Sequence, residues 1–503
     1  MKDMWNLNKK SVYFVKIIAK HTKEGANMQV IKKKGVGLSI LAAMVMTTGG
    51  WALTLQEAMM ETIRSNPKIL ETVKNYNAVK EDVKIAKSDW FPKLNYYGGV
   101  GYEGGKNTYN DYDWNNYSVF ENSLILTQNV FDGWGTTHRI GTQQARLLAS
   151  AYHYIETVNN TGFRLVRYYI DVLKNRELLK IAKENIRINE DIYNKVDKLY
   201  KGGLTTKSEM KKSASSLALA RANYILQENR LKDALYQFKR VYGKEIADAS
   251  LFENPSVSLP LPKSYEEGKN FALKHNPSIL VQRYNIKAAQ EGYEEKKSKY
   301  YPKFDLRARS SWNYNMGGIA DGHDERYRVS GVMTYNLFNG LADKAAIQKG
   351  ISQTQQAVMK EGDLSRQTEE AYNISWNAYT HLDQQLKYLQ EFKKYSAQTL
   401  TLYTKEYEMG RRSLLDLLSA QNDLISAKMQ IVNTKYEHLF AEYRILNAMG
   451  TMVPTVMGRK REYFARVALG SKDTGKADKL PVKALRENDR FLQSLGKNSA
   501  NHR

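Results

Sequence analysis

The sequence predicts a mixed α and β membrane protein: a tandem-repeat subunit with four transmembrane β-strands and long coiled-coil helical hairpins. Three observations predict it. A segment near the start reads as an export signal, and the chain repeats itself once. Each repeat places two period-two segments ahead of a stretch without proline that is long enough for about 100 Å of helix.

The chain has 503 residues and no cysteine. Disulfides, thiolate metal sites, a cysteine nucleophile and a lipidated N-terminal cysteine are therefore excluded. Formal charge is +23, but residues 1–34 and 451–503 carry +7 each, leaving +9 on the 416 residues between. The excess sits on the two ends, so a nucleic-acid partner is not expected.

Lys32, Lys33 and Lys34 precede an apolar run from Val36 to Met46, followed by Gly50, Trp51 and Ala52. A basic n-region, a short apolar h-region and small residues at −3 and −1 make 28–52 a signal peptide. The run falls short of the roughly 20 apolar residues of a spanning helix. Leu53 is the expected mature start, Met28 the expected initiator, and 1–27 a doubtful extension.

Asn66-Pro67 recurs as Asn276-Pro277, and Trp90-Phe91-Pro92-Lys93-Leu94 as Tyr300-Tyr301-Pro302-Lys303-Phe304, both offset by 210. Asn129-Val130-Phe131-Asp132-Gly133 recurs as Asn336-Leu337-Phe338-Asn339-Gly340 at 207, and Gly203/Gly410, Glu209/Asp416 and Gly243/Gly450 keep that offset. A chance match would not hold one register so long. The predicted organisation is repeat 1 over 53–246, a connector over 247–262, repeat 2 over 263–450 and a basic, disordered tail over 451–503.

Between the proline and the Phe-Asp/Asn-Gly landmarks the chain alternates. Phe304, Leu306, Ala308, Trp312 and Tyr314 share one face, with Asp305, Arg307, Arg309 and Asn313 on the other. Tyr327, Val329, Met333, Tyr335 and Leu337 alternate with Arg328, Ser330, Thr334 and Asn336, while Leu94, Tyr96, Val100 and Tyr102 oppose Asn95, Tyr97 and Glu103. Apolar-out, polar-in strands suit an outer-membrane barrel. A half-buried sheet in a soluble domain would alternate too, but the export signal favours the membrane. Four strands cannot close, and an open edge in lipid strands backbone groups. Closure demands an oligomer, and three chains would supply twelve strands.

From Asp132 to Tyr200, and again from Gly340 to Tyr407, no proline interrupts the chain. Leu179, Ala182, Ile186, Asn189, Tyr193, Val196 and Tyr200 form one seam, and Leu178, Ile181, Ile188, Ile192 and Leu199 a second beside it. Two seams let a helix pack on both sides, as in a ring of helices. The return helices keep the heptad through Leu217, Ala220, Tyr224, Gln227, Leu231, Ala234, Phe238 and Val241, and through their counterparts 207 residues on.

With these features in place, the chain to about Gly450 resembles the TolC-like outer-membrane efflux and secretion family. The tandem repeat, the Phe-Asp/Asn-Gly landmarks and two hairpin turns carry the resemblance: Tyr200-Lys-Gly-Gly-Leu-Thr-Thr-Lys-Ser-Glu209 and Tyr407-Glu-Met-Gly-Arg-Arg-Ser-Leu-Leu-Asp416. The resemblance implies a homotrimer with a twelve-stranded barrel in outer-membrane lipid and a periplasmic α-helical barrel. It also implies a periplasmic adaptor (membrane fusion) protein and an inner-membrane ABC or proton-driven pump as partners, in a passive conduit for efflux or type I secretion. It implies a gate at the periplasmic turns made by Tyr407 and Arg412, with Glu209 in place of an aspartate and Ser208 in place of a threonine. Asp416 matches an acidic ring at the channel entrance, while Ser419 stands where a second ring would be. The glycine turns are expected to expose Gly203, Leu204, Thr205, Gly410, Arg411, Ser413 and Leu414 as adaptor-docking tips.

No cofactor or metal is expected. Gly99-x-Gly101-x-x-Gly104 is followed by polar loop rather than the helix start a dinucleotide site needs. The eight histidines show no helical ligand pair, and His438 falls on a seam position. No catalytic cluster supports an exported enzyme. A surface adhesive coiled-coil protein would explain the helices but not four amphipathic strands at duplicated positions.

Overall fold

The computed structural model describes residues 52–106, 112, 114–246, 248–255, 259–315 and 322–458. The expected extension 1–27, the signal peptide up to Trp51, and residues 459–503 lie outside them.

Each repeat opens with an 11-residue helix, α1 (Leu55–Ser65) and α5 (Tyr265–His275), and a 21-residue helix, α2 (Pro67–Lys87) and α6 (Pro277–Lys297). The recurring Asn-Pro explains the junction. Proline at the first helical position has no N–H to lose there. The asparagine side chain caps the helix and also ties it to the return hairpin: Asn66 donates to the Val241 carbonyl at 3.0 Å, Asn276 to Ala448 at 2.8 Å.

Strands β1 (Lys93–Gly105), β2 (Asn115–Phe131), β3 (Lys303–Tyr314) and β4 (His323–Thr334) form one antiparallel sheet in the order β1-β2-β3-β4. Ala308 pairs with Leu126 and with Val329, and Leu94 pairs with Leu126, so Leu94, Leu126, Ala308 and Val329, one from each strand, share one face. Arg309 pairs with Ile125 and Arg328 on the other face, where Asp305 is buried by Asn129 (3.1 Å) and Lys303 (3.2 Å). The apolar band stops at Tyr327, because Glu325 and His323 continue its face opposite Trp312 and Tyr314.

One expectation is corrected at this edge. The alternation runs on through Tyr335 and Leu337, but β4 ends at Thr334. Its counterpart β2 extends to Phe131 because Phe304 of β3 pairs with it there. Among the described residues no strand lies beside 335–338, and a strand without a ladder partner is not held.

After each hairpin the chain turns through two left-handed residues, Gly133-Trp134 and Gly340-Leu341, into helices of equal length: α3 (Gly135–Lys201) and α7 (Ala342–Glu408), 67 residues each. Gly133 is obligatory, since a Cβ there would lie 2.6 Å from the Ser298 carbonyl oxygen. Trp134 accepts its strained φ of 65° because its indole packs edge-on against Phe131 and Tyr301 at 5.1 and 5.5 Å. Returning helices α4 (Lys207–Tyr242) and α8 (Leu414–Ala448) complete two hairpins.

The main core lies midway along α3, where the ends of α4 and α8 reach it, around Leu165, Tyr169, Leu173, Phe238, Phe252 and Leu446. One sequence expectation changes here, that for the tail, and the connector gains a packing role. The connector is part of this core, since Ala249 and Phe252 are buried and Phe252 bridges to Leu53. The Tyr169 hydroxyl faces the Leu53 and Glu253 carbonyls at 2.7 and 2.6 Å, and Arg176 donates to the Ala249 and Phe252 carbonyls at 2.9 and 2.7 Å. The tail is not disordered from 451: α9 (Met452–Met457) buries Met452, Val453 and Met457 against α1 and α3. Removing those side chains from water, together with the helix's own hydrogen bonds, offsets the entropy of ordering six residues.

Candidate functional site

The residues singled out at the two hairpin turns come together at one end of the paired helices. Both turns close alike. Leu204 N–H donates to the Leu199 carbonyl (2.8 Å) and Gly203 N–H to Tyr200 (3.0 Å); Arg411 donates to Glu406 and Gly410 to Tyr407, both at 2.9 Å. This is a Schellman closure, which places the following residue in the left-handed region. Gly203 at φ +74° and Gly410 at φ +70° provide it.

The next helices start with caps. The Thr206 hydroxyl accepts from Glu209 N–H at 3.3 Å, and the Ser413 hydroxyl accepts from Asp416 N–H at 3.2 Å. Glu209 and Asp416 are therefore the third residues of their helices, where a carboxylate also meets the positive end of the helix dipole. Asp416 Oδ2 accepts from the Ser413 hydroxyl at 2.8 Å, and Glu209 Oε2 accepts from Thr205. The pattern Thr206-x-x-Glu209 and Ser413-x-x-Asp416 is a sequence signature of helix starts, so this structural role is legible in the sequence.

Between the turns lies a cavity of about 730 Å³, lined by Ile188, Ile192, Leu204, Glu209, Tyr407 and Arg412 among others. Glu209, Tyr407 and Arg412 thus share one space, but their expected bonds are not all present. Arg412 Nε donates to Glu406 Oε2 at 2.7 Å, and its guanidinium lies 4.2 Å over the Tyr403 ring. Glu406 is six residues away in the same turn, so its carboxylate reaches Arg412 before Glu209 can. Burial pushes the Tyr407 phenol up from its ordinary pKa, and the Glu209 charge adds to the effect. Ser208 is exposed and shares a 2.9 Å bond with Thr206 rather than with the other three.

One docking residue is misplaced by the sequence reading. Leu414 is 1 % exposed and packs with Ile192, Val196, Leu417 and Leu418 in a core that joins the two hairpin ends. Its neighbour Leu415 is 64 % exposed, as is Leu204 at 77 %. The first turn of α8 aims Leu414 at α3 and Leu415 outward, a choice that helical phase makes and the turn sequence alone does not. Gly203, Gly410, Arg411 and Ser413 are exposed as expected, and Thr205 is half-buried beneath Glu209. Glu406, Tyr403 and the Lys195–Glu408 pair (2.8 Å), which bridges the hairpins, were not anticipated.

A sheet with an apolar face, joined to long paired helices whose turns meet around a cavity lined by charged residues, is the architecture of a membrane channel subunit. The chain belongs to the outer membrane efflux protein family, whose profile matches residues 59–244 and 270–451, one stretch in each repeat. It is an outer-membrane channel protein and not an enzyme. It is 24 % identical over 430 residues to the outer membrane efflux protein BepC of Brucella suis, covering 85 % of this chain and 92 % of that one. It is 23 % identical over 412 residues to the alkaline protease secretion protein AprF of Pseudomonas aeruginosa, covering 78 % and 84 %. Its fold matches the CmeC outer membrane channel of Campylobacter jejuni with a TM-score of 0.71 at 14 % identity, over 84 % of this chain and 90 % of that chain.

Proposed function

We propose that this chain trimerises into the outer-membrane conduit of a tripartite efflux or type I secretion system. Three four-stranded sheets close a twelve-stranded barrel in outer-membrane lipid, and the hairpins form the periplasmic α-helical barrel below it. The observation that carries this is the sheet itself: four antiparallel strands with an apolar face and two free edges. In lipid each unpaired edge group costs several kcal/mol, which only closure removes. Relatives named for efflux and for protease secretion support both cargo classes.

At the periplasmic end, Tyr407 and Glu209 hold the resting gate with Arg412, and Ser208 lies beside them. Asp416 forms the acidic ring of the entrance. Gly203, Leu204, Thr205, Gly410, Arg411, Ser413 and Leu415 form the tips on which a periplasmic adaptor protein docks, delivering cargo from an inner-membrane ABC or proton-driven pump. Purified protein in planar bilayers tests the reading. Heat-modifiable trimers with stable single-channel conductance are expected; soluble monomers without conductance would overturn it.

A further inference from the structure

The two 67-residue helices are built alike and covered unlike. α3 buries 27 residues and α7 buries six. The reason lies in the repeat. Within the chain, β2 and α3 of repeat 1 are covered by β3 and α6 of repeat 2. The matching surface of repeat 2, on β4 and α7, has no third repeat to cover it, and β1 and α2 of repeat 1 are free on their other side.

Carrying the internal contact forward by one repeat adds 207 to each residue of β2 and α3 and subtracts 210 from each residue of β3 and α6. In the strands, the register from Phe120–Tyr314 to Asn129–Asp305 becomes Tyr327–Gly104 to Asn336–Asn95. Glu121 and Asn313, which stand in that register, become Arg328 and Glu103. Neither makes an ion pair within the described residues of the chain. Gly331 meets Val100 and Val329 meets Tyr102, apolar face to apolar face. The bulge at Val130 becomes one at Leu337, and Phe338 pairs with Leu94 as Phe131 pairs with Phe304.

The helices agree. Trp134 against Tyr301 becomes Leu341 against Phe91, which are 67 % and 66 % exposed in the chain. The Arg139–Glu295 bridge (2.8 Å) becomes Ala346 against Ile85, itself 66 % exposed. The Glu156–Ser278 bond (2.5 Å) becomes Asp363 opposite Lys68, and Thr142 beside Gly292 becomes Lys349 opposite Asp82. Opposite charges meet at Arg328–Glu103, Asp363–Lys68 and Lys349–Asp82, and exposed apolar residues meet at Leu341–Phe91.

We infer that a second copy of this chain covers β4 and α7 through a seam keyed by Arg328–Glu103, Lys349–Asp82, Asp363–Lys68 and Leu341–Phe91, and that residues 335–338 become strand only when it does. The inference rests on the oligomeric conduit reading and adds its register. It also explains why the period-two pattern outruns β4: the ladder partner of Tyr335–Phe338 belongs to another copy. The internal seam uses Arg139, His138 and Glu291 where the external one uses Ala346, Ala345 and Glu81, so the two seams do not interchange.

The chain has no cysteine, so paired cysteines report the seam directly. Glu103→Cys with Arg328→Cys should form an intermolecular disulfide on oxidation, since directly opposed Cβ atoms lie about 4.5–5.5 Å apart in a ladder. Gly101→Cys with Arg328→Cys, two residues out of register, should give none. Charge reversal supplies a second reading: Arg328→Glu should lower the temperature at which detergent-resistant oligomers dissociate, and Glu103→Arg added to it should restore that temperature. Cross-linking at the shifted pair, or at neither pair in intact conducting oligomers, would overturn the seam and leave the conduit standing. Monomeric protein in native mass spectrometry would overturn both.

Discussion

Arg412 is bonded to Glu406 at 2.7 Å within its own turn, while Glu209 across the cavity is bonded to Thr205. The two charges that would latch the mouth are thus each held by a local partner. Arg412 is exposed, so solvent screens such bonds and they hold weakly, and exchanging their partners costs little. Tyr407, half-buried beside Glu209, is the anchored member of the proposed gate. Tyr407→Phe with Arg412→Ser should raise resting single-channel conductance several-fold, and Asp416→Ala should relieve block by multivalent cations. A double variant that conducts like wild type would remove these residues from the gate.

The tips separate docking from folding. Leu204→Asp with Leu415→Asp places charges on exposed positions and should abolish transport while oligomers still assemble. Leu414→Ala opens the hairpin-end core and should cost roughly 2–5 kcal/mol of stability, read as a lower melting temperature. Transport that survives the exposed pair would rule out docking at these leucines.

Facing in the proposed barrel is directly measurable. Leu306, Ala308, Trp312, Val329 and Met333 should contact lipid, and Arg307, Arg309, Arg328 and Asn313 the lumen. Arginine at Val329 should cost about 2–4 kcal/mol near the bilayer midplane, whereas changes at Arg309 should cost little. Single cysteines at these positions should divide between lipid-soluble and water-soluble reagents. Uniform labelling by the aqueous reagent would contradict a membrane barrel.

Glu442 gives a pH dependence. It lies on α8 with His438 Nδ1 at 3.6 Å, and the Asp383 charge of α7 acts on His438. Tyr379 of α7 stacks on the His438 ring at 5.0 Å. Burial pushes the carboxyl up from 4.5 to about 7 and holds His438 below its ordinary value. A raised carboxyl favours the folded state fully below pH 4.5, and that advantage is lost as pH rises through 7. Glu442→Gln should therefore match wild type near pH 4.5 and exceed it by up to about 3 kcal/mol at pH 8. Thermal melts at the two pH values decide it; an equal gain at both would point to packing instead.

Periodicity and repetition determined much of this protein in advance. The Asn-Pro caps, the two strand pairs, the 67-residue helices and the glycine turns are local, and local rules of capping, alternation and left-handed backbone make them legible residue by residue. Even Tyr335 and Leu337 were read as strand by pattern, although the single chain leaves them unpaired. What the tertiary structure alone decided are distances between segments far apart in sequence. It set Leu414 inside and Leu415 outside, drew the connector and Met452–Met457 into the core, and gave Arg412 to Glu406 rather than Glu209. The physical reason is common to all of these. A hydrophobic position states that something covers it, and a charge that something neutralises it, but which partner arrives depends on helical phase and on competition between neighbours, and neither is fixed until the hairpins pack.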